Sequence, residues 1–294
     1  MVYIKITNKN QTTMNFKNMN YLTKLLTISL FFISQLSEAQ SPWTREKGKA
    51  YLQLGASGLF YDVAQIDGKK VELQTNFTDV TTQIYTEYGL TNRLEAQLIL
   101  PYKFINAKDK ITQVSQSLSG LGNLTLGLKY KLMDKNWKWS AGLQYTANTT
   151  TRAAIGANFL TTGYEANTLI PYTTIGTSKG KWYYFANLGY GYMSNNFSDY
   201  LKFDAELGYK ITPKSHLILA LNTKNAVVNE KAFDNNTNFW PSYLDRQTYD
   251  AFGLKYNYEF KPEKMGVNLA FYGAFGNNNA PYVPSSNLGV YFKI

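Results

Sequence analysis

The stretch YGLTNRLEAQLILPYKF, residues 88–104, separates its side chains into two rows. Beyond the turn Thr91-Asn92, Leu94, Ala96, Leu98, Leu100, Tyr102 and Phe104 share one face. Arg93, Glu95, Gln97, Ile99, Pro101 and Lys103 share the other, which carries charges of both signs. Alternation at period two marks a β-strand. A strand of a soluble sheet usually runs about five or six residues, whereas a tilted strand crossing a bilayer needs about 9–11. The length of this one raises two settings: an apolar row on a protein core, or an apolar row on lipid with the charged row facing a wet lumen.

The same rhythm runs through the chain beyond residue 48. Segments at 51–61, 80–90, 94–104, 124–132, 137–147, 182–192, 201–211, 217–223, 252–260, 267–275 and 288–294 alternate apolar with polar or small residues, and 168–177 does so more weakly. That predicts roughly twelve strands, with no sustained helical spacing. Short connections (91–92, 133–136, 178–180, 212–215, 261–265) alternate with long ones (65–78, 105–120, 148–166, 193–199, 226–246, 277–285). Short turns at one end and long loops at the other are the habit of outer-membrane barrels. A sheet in lipid must also close on itself, because hydrocarbon offers its edges no hydrogen-bond partner.

Aromatic residues make up 16% of the 294 residues, with 24 tyrosines, and charged residues only 17%, below the roughly 25% usual in soluble domains. The aromatics gather at the strand ends. Tyr88, Tyr130, Trp137, Trp139, Trp182, Tyr184, Tyr209 and Tyr258 lie toward the short turns, and Phe60, Tyr102, Phe104, Tyr145 and Tyr192 toward the long loops. Two aromatic rings flanking an aliphatic middle form the girdles of membrane barrels. The absence of cysteine removes disulfide and thiol chemistry. The net charge of +10 is scattered among acids, without the basic stripe of a nucleic-acid-binding protein.

The first 39 residues read as an export signal, with Lys17 and Lys24 before the apolar run 25–33 and small residues at 37–39, cleaved before Gln40. Residues 40–48 then form a short periplasmic segment, with Trp43 within reach of the barrel mouth, and 49–294 form the barrel. The fold expected is all-β: a transmembrane, antiparallel, up-and-down β-barrel of about twelve strands with both termini periplasmic. The closing segment NLGVYFKI (287–294) reads as the final strand, ending in Ile294 where such strands mostly end in an aromatic.

Three stretches, YGLTNRLEAQLILPY (88–102), GLGNLTLGLKYKL (120–132) and PYTTIGTSKGKWYYFANLGYGY (171–192), resemble the outer-membrane barrels grouped as the "MetA-pathway of phenol degradation" family. The likeness runs through most of residues 47–294. It implies a barrel that passes small, apolar or aromatic molecules. Lipid, lipopolysaccharide and the barrel-assembly machinery are its implied partners, alongside an unspecified small solute and no nucleic acid.

Catalysis has little support in the sequence. The one histidine, His216, follows a short turn and faces the lumen beside the turn residue Ser215, which fits neither a phospholipase nor a protease of this membrane. Neither a metal nor a cofactor is expected, and an outer-membrane hydrolase is disfavoured. Glycines at lumen positions, such as Gly89, Gly127, Gly142, Gly189, Gly208 and Gly253, should ease curvature and leave room inside. Function is expected in the lumen. Glu87, Arg93 and Glu95 should meet Lys129 and Lys131, since neighbouring strands lie ~4.8 Å apart. Lys202, Asp204, Glu206, Lys210, Lys255 and Glu259 repeat the pattern further round. These form either a ladder of ion pairs or a constriction that selects solutes. Phe233, Phe239 and Trp240 offer a lid or entry site in the 226–246 loop, and the asparagine clusters 195–196, 235–236 and 277–279 read as solvated turns. A closed structural or surface-binding barrel acting through its loops is the alternative function.

Overall fold

A computed structural model describes residues 41–155, 158–227 and 243–294. The signal segment and the three aromatics of the proposed lid, Phe233, Phe239 and Trp240, lie outside the described residues.

The strands in chain order are β1 (Ala50–Ile66), β2 (Lys69–Gly89), β3 (Leu94–Asp109), β4 (Ser115–Leu121), β5 (Leu124–Asp134) and β6 (Trp137–Ala147). Next come β7 (Arg152–Ile155), β8 (Asn158–Thr161), β9 (Thr168–Lys179), β10 (Trp182–Met193) and β11 (Tyr200–Thr212). The last are β12 (Ser215–Ala226), β13 (Thr248–Lys261), β14 (Met265–Asn278), β15 (Ala280–Pro281) and β16 (Ser285–Lys293). Twelve of them are the staves of one antiparallel barrel: β1, β2, β3, β5, β6, β9, β10, β11, β12, β13, β14 and β16. The ring closes through β1, which pairs with β2 (Tyr51↔Glu87) and with β16 (Leu52↔Phe292), so no edge of the barrel sheet is left open.

The two faces of each stave meet different surroundings. On β3, Glu95, Gln97, Pro101 and Lys103 are buried, while Tyr102 and Phe104 are exposed. Around the outside, Leu54, Leu126, Leu128, Leu143, Leu188, Leu219, Leu254 and Phe271 form an exposed aliphatic and aromatic band. Tyr88, Tyr130, Trp137, Trp139, Trp182 and Tyr184 border it at the short-turn end, and Phe60, Tyr102, Phe104, Tyr145 and Tyr192 at the long-loop end. A continuous apolar belt with aromatic girdles, wrapped round a polar interior, is stable only in hydrocarbon. The barrel is therefore a transmembrane one.

The long-loop end departs from expectation. The 65–78 connection is no loop: β1 and β2 run on as a two-stranded arm to the tight turn Asp67-Gly68, where φ is 46° and 76°. A type I′ hairpin needs positive φ at both central residues, which favours Asp-Gly. Likewise β3 continues into a hairpin with β4 across much of the 105–120 connection (Ile105↔Leu118), and β7 pairs with β8 inside 148–166. These arms pack on one another. Ile105, Ala107 and Leu160 form one small apolar core, with Phe77, Leu118 and Tyr243 against it, and Ala64, Ile66 and Leu244 form a second. The asparagines at 277–279 are likewise not simply solvated. Asn277 and Asn279 are buried, Asn279 Oδ1 accepts the Asp67 N–H at 3.0 Å, and Asn278 Oδ1 accepts that of Gly68 at 2.7 Å. They fasten the β1–β2 arm to the end of β14.

Candidate functional site

At the short-turn end the lumen holds a knot of charge built around the first described residues. Lys129 Nζ lies 2.9 Å from Glu95 Oε1, with neither side chain exposed. It also donates to the carbonyl oxygens of Ser41 and Trp43, each at 3.1 Å. The Arg45 backbone N–H donates to Glu95 Oε2 at 2.7 Å, and Arg45 Nε to Glu87 Oε2 at 2.7 Å. Ser140 Oγ donates to the Pro42 carbonyl at 2.7 Å, and the Trp43 indole sits edge-on to Tyr183 and Phe185. Residues 41–45 thus lie inside the barrel rather than beyond it. They bring carbonyl oxygens to a buried ammonium and an N–H and a guanidinium to buried carboxylates, so each desolvated charge regains partners.

A second series of pairs lines the wall from β10 to β16. Lys202 Nζ stands 3.2 Å from Asp204, whose other oxygen accepts the Asn222 amide at 2.9 Å. Lys255 pairs with Glu206, which also accepts the Tyr183 hydroxyl at 3.2 Å. Glu259 pairs with Lys293 and accepts the Tyr291 hydroxyl at 3.3 Å. Three residues expected in these sets stand elsewhere. Arg93 is exposed in the 91–93 turn, where its carbonyl accepts the Lys131 N–H. Lys131 pairs with Asp134 at 2.8 Å instead of reaching Glu95. Lys210 is exposed opposite His216. The parity of all three is that of the lumen row, but each lies at the rim, where a long side chain reaches water.

Between these pairs the lumen keeps two cavities. One of about 270 Å³, toward the short turns, is bounded by Arg45, Glu87, Glu206, Lys255 and Lys293. The other, about 310 Å³ and toward the long loops, is bounded by five tyrosines (Tyr164, Tyr200, Tyr243, Tyr249 and Tyr272) with Lys202 and Lys224. Burial in this aromatic surround pushes the hydroxyls of the loop residues Tyr164 and Tyr243 well above the ordinary tyrosine range, so both remain neutral donors.

Residues 44–293 match the family described as "Putative MetA-pathway of phenol degradation". The chain belongs to that family. Its fold is similar to that of an outer-membrane channel from Pseudomonas putida F1, with a TM-score of 0.62 at 17% identity over 88% of this chain and 99% of that one. A weaker likeness is to the NanC porin, with a TM-score of 0.47 at 12% identity over 83% of this chain and 100% of that one. No curated protein sequence matches.

In this member of the family His216 makes no catalytic constellation. Its Nδ1 is buried without a hydrogen-bond partner, and the neighbouring Ser215 Oγ is engaged with the Thr212 hydroxyl at 2.7 Å. Several lumen groups escaped the sequence reading. Arg45 was invisible because periodicity begins after it. Lys103, paired with Asp79 at 2.9 Å, lies in the charged row of the opening stretch, but its partner falls between the expected loop 65–78 and the expected strand 80–90. Lys224 lies one alternation beyond the segment 217–223 that was read as strand.

Proposed function

We propose that this chain is an outer-membrane channel that passes small apolar or aromatic molecules by diffusion through a narrow lumen. One observation carries this reading: the twelve-stranded wall encloses two separate cavities walled by tyrosine rings and paired charges, rather than a fully packed interior. Barrels of about eight strands are filled by side chains, and those of 16–18 leave an open aqueous channel. Twelve strands with an inserted N-terminal segment fall between the two. The ion pairs along the wall from β10 to β16 balance in sign and do not favour a stream of simple ions of either charge. By the habit of such barrels, the short turns and both termini face the periplasm and the long-loop arms face outward. Lipopolysaccharide and the assembly machinery are then the surroundings and the route of insertion. A hydrolytic role is not proposed, given the isolation of His216.

The folded arms, with their own small cores, favour a second reading in which the loop end binds a surface partner and the lumen stays shut. Uptake separates the two. Cells of a Gram-negative host making the protein should take up a radiolabelled single-ring aromatic faster than cells making a barrel of unrelated function at equal surface level. Equal rates would overturn the channel and leave the surface-binding barrel.

A further inference from the structure

Among the described residues, the tyrosine-walled chamber holds a lysine, Lys224, with no carboxylate in ion-pair contact. Lys224 Nζ donates to two neutral groups: the Tyr164 hydroxyl oxygen at 2.9 Å and Gln247 Oε1 at 3.4 Å. It also lies over the Tyr164 ring at 4.3 Å and the Tyr200 ring at 4.7 Å. Among the described residues, none of the ion pairs within 4.0 Å includes it. The nearby charges are committed. Lys202 and Asp204 hold each other, and Asp204 takes the amides of Asn187 and Asn222 as well. Asp245 accepts the N–H and hydroxyl of Ser198 at 2.6 and 3.0 Å. Among the described residues the chamber wall therefore carries one more amino group than carboxylate, Lys202 and Lys224 against Asp204, and the unpaired one is framed by aromatic faces.

We infer that the chamber at the long-loop end binds a small single-ring organic anion, its carboxylate or phenolate against Lys224 and its ring among the tyrosines. This rests on the channel reading only for the route by which the solute arrives. Three properties select that class. The volume of about 310 Å³ lies at the small end of ligand cavities, which run from roughly 300 to 1,000 Å³. Tyr164, Tyr200, Tyr243, Tyr249 and Tyr272 offer ring faces and edges to a planar partner. An anion supplies the opposite charge that a desolvated ammonium lacks, whereas a neutral ring of equal size gains the packing and leaves the charge as it was. An organic cation would face like charge.

The test is equilibrium binding to the purified mature protein in detergent, with benzoate as probe and benzyl alcohol and benzylammonium as neutral and cationic controls of similar size. Benzoate should bind at least tenfold more tightly than either control. Lys224→Met should erase that preference and Lys224→Arg should keep it, with heat-dependent gel mobility verifying that each variant is folded. Equal binding of benzoate and benzyl alcohol by the unaltered protein overturns the inference without recourse to any variant. So does a folded Lys224→Met that still prefers benzoate. Selective benzoate binding without faster cellular uptake would instead sink the channel and leave the site. Uptake without anion preference would do the reverse.

Discussion

Gly208 stands directly opposite Tyr183 across β11 and β10, and the Tyr183 ring occupies the space a side chain at 208 would need: a Cβ there would lie 1.9 Å from a ring carbon. The relationship recurs across other strand pairs, as where Gly253 faces Tyr272. Three of the glycines expected to leave the lumen roomy, Gly142, Gly208 and Gly253, are thus covered by tyrosine rings from the next strand, and there the space is divided rather than opened. Gly208→Val should force the ring out of its place. Overpacking of this kind costs about 1–3 kcal/mol, and the expected result is a lower temperature for loss of the compact gel form. An unchanged transition would mean the ring moves freely.

The paired charges at the short-turn end hold residues 41–45 inside the lumen. Glu95→Ala removes the partner of Lys129 and the acceptor of the Arg45 N–H together. Stripping one member from a buried pair costs about 3–5 kcal/mol, and withdrawing the segment into water would recover much of that by rehydrating Lys129. Since the chain has no cysteine, Thr44→Cys provides a single reporter. Its labelling by an impermeant maleimide should be slow in the parent and faster with Glu95→Ala, and single-channel conductance should rise in parallel. Equal labelling rates would show that other contacts, such as Ser140 with the Pro42 carbonyl, suffice.

Leu128 faces outward opposite Leu143, midway between the girdles represented by Trp139 and Tyr145 on the adjacent strand. Leu128→Arg should weaken insertion by about 2–4 kcal/mol, the range for a basic residue at the midplane of a barrel's lipid face. Folding yield into phospholipid vesicles across a urea series measures it. The same substitution in a soluble sheet protein's solvent face would be nearly silent, so a null result here would remove the lipid assignment of that row.

How much of this was legible follows from what a period of two encodes. It assigns each side chain to a face, so the outward row of Leu94 to Phe104 and the inward burial of Glu95 could be read directly. Cross-strand register is not encoded in one strand. Glu95 opposite Lys129 could be reached by assuming level neighbours, whereas Gly208 under Tyr183 could not. At the rim, parity is right but reach decides, which is why Arg93 and Lys210 point into water. The β1–β2 arm carried its own signal, with Asp67-Gly68 between alternating residues such as Val71, Leu73 and Phe77. It was hidden by the expectation that strands stop where the membrane does. The insertion of residues 41–45 had no periodic signature at all.

Asp79 and Lys103 supply a last prediction, because they form a two-strand clamp that is almost wholly enclosed. Lys103 Nζ lies 3.0 and 2.9 Å from the two carboxylate oxygens, and the Tyr243 ring covers it at 5.1 Å. Lys103→Met leaves the Asp79 carboxylate buried without its cation, and Asp79→Asn leaves the ammonium without its anion. Each single change should cost about 3–5 kcal/mol. The double variant removes both charges, so it should lose much less than the sum of the two. Urea-induced unfolding in detergent micelles gives the three differences, and their coupling isolates the pair. Additive losses would mean that the two groups are solvated independently and that the β2–β3 wall does not exclude water at this level.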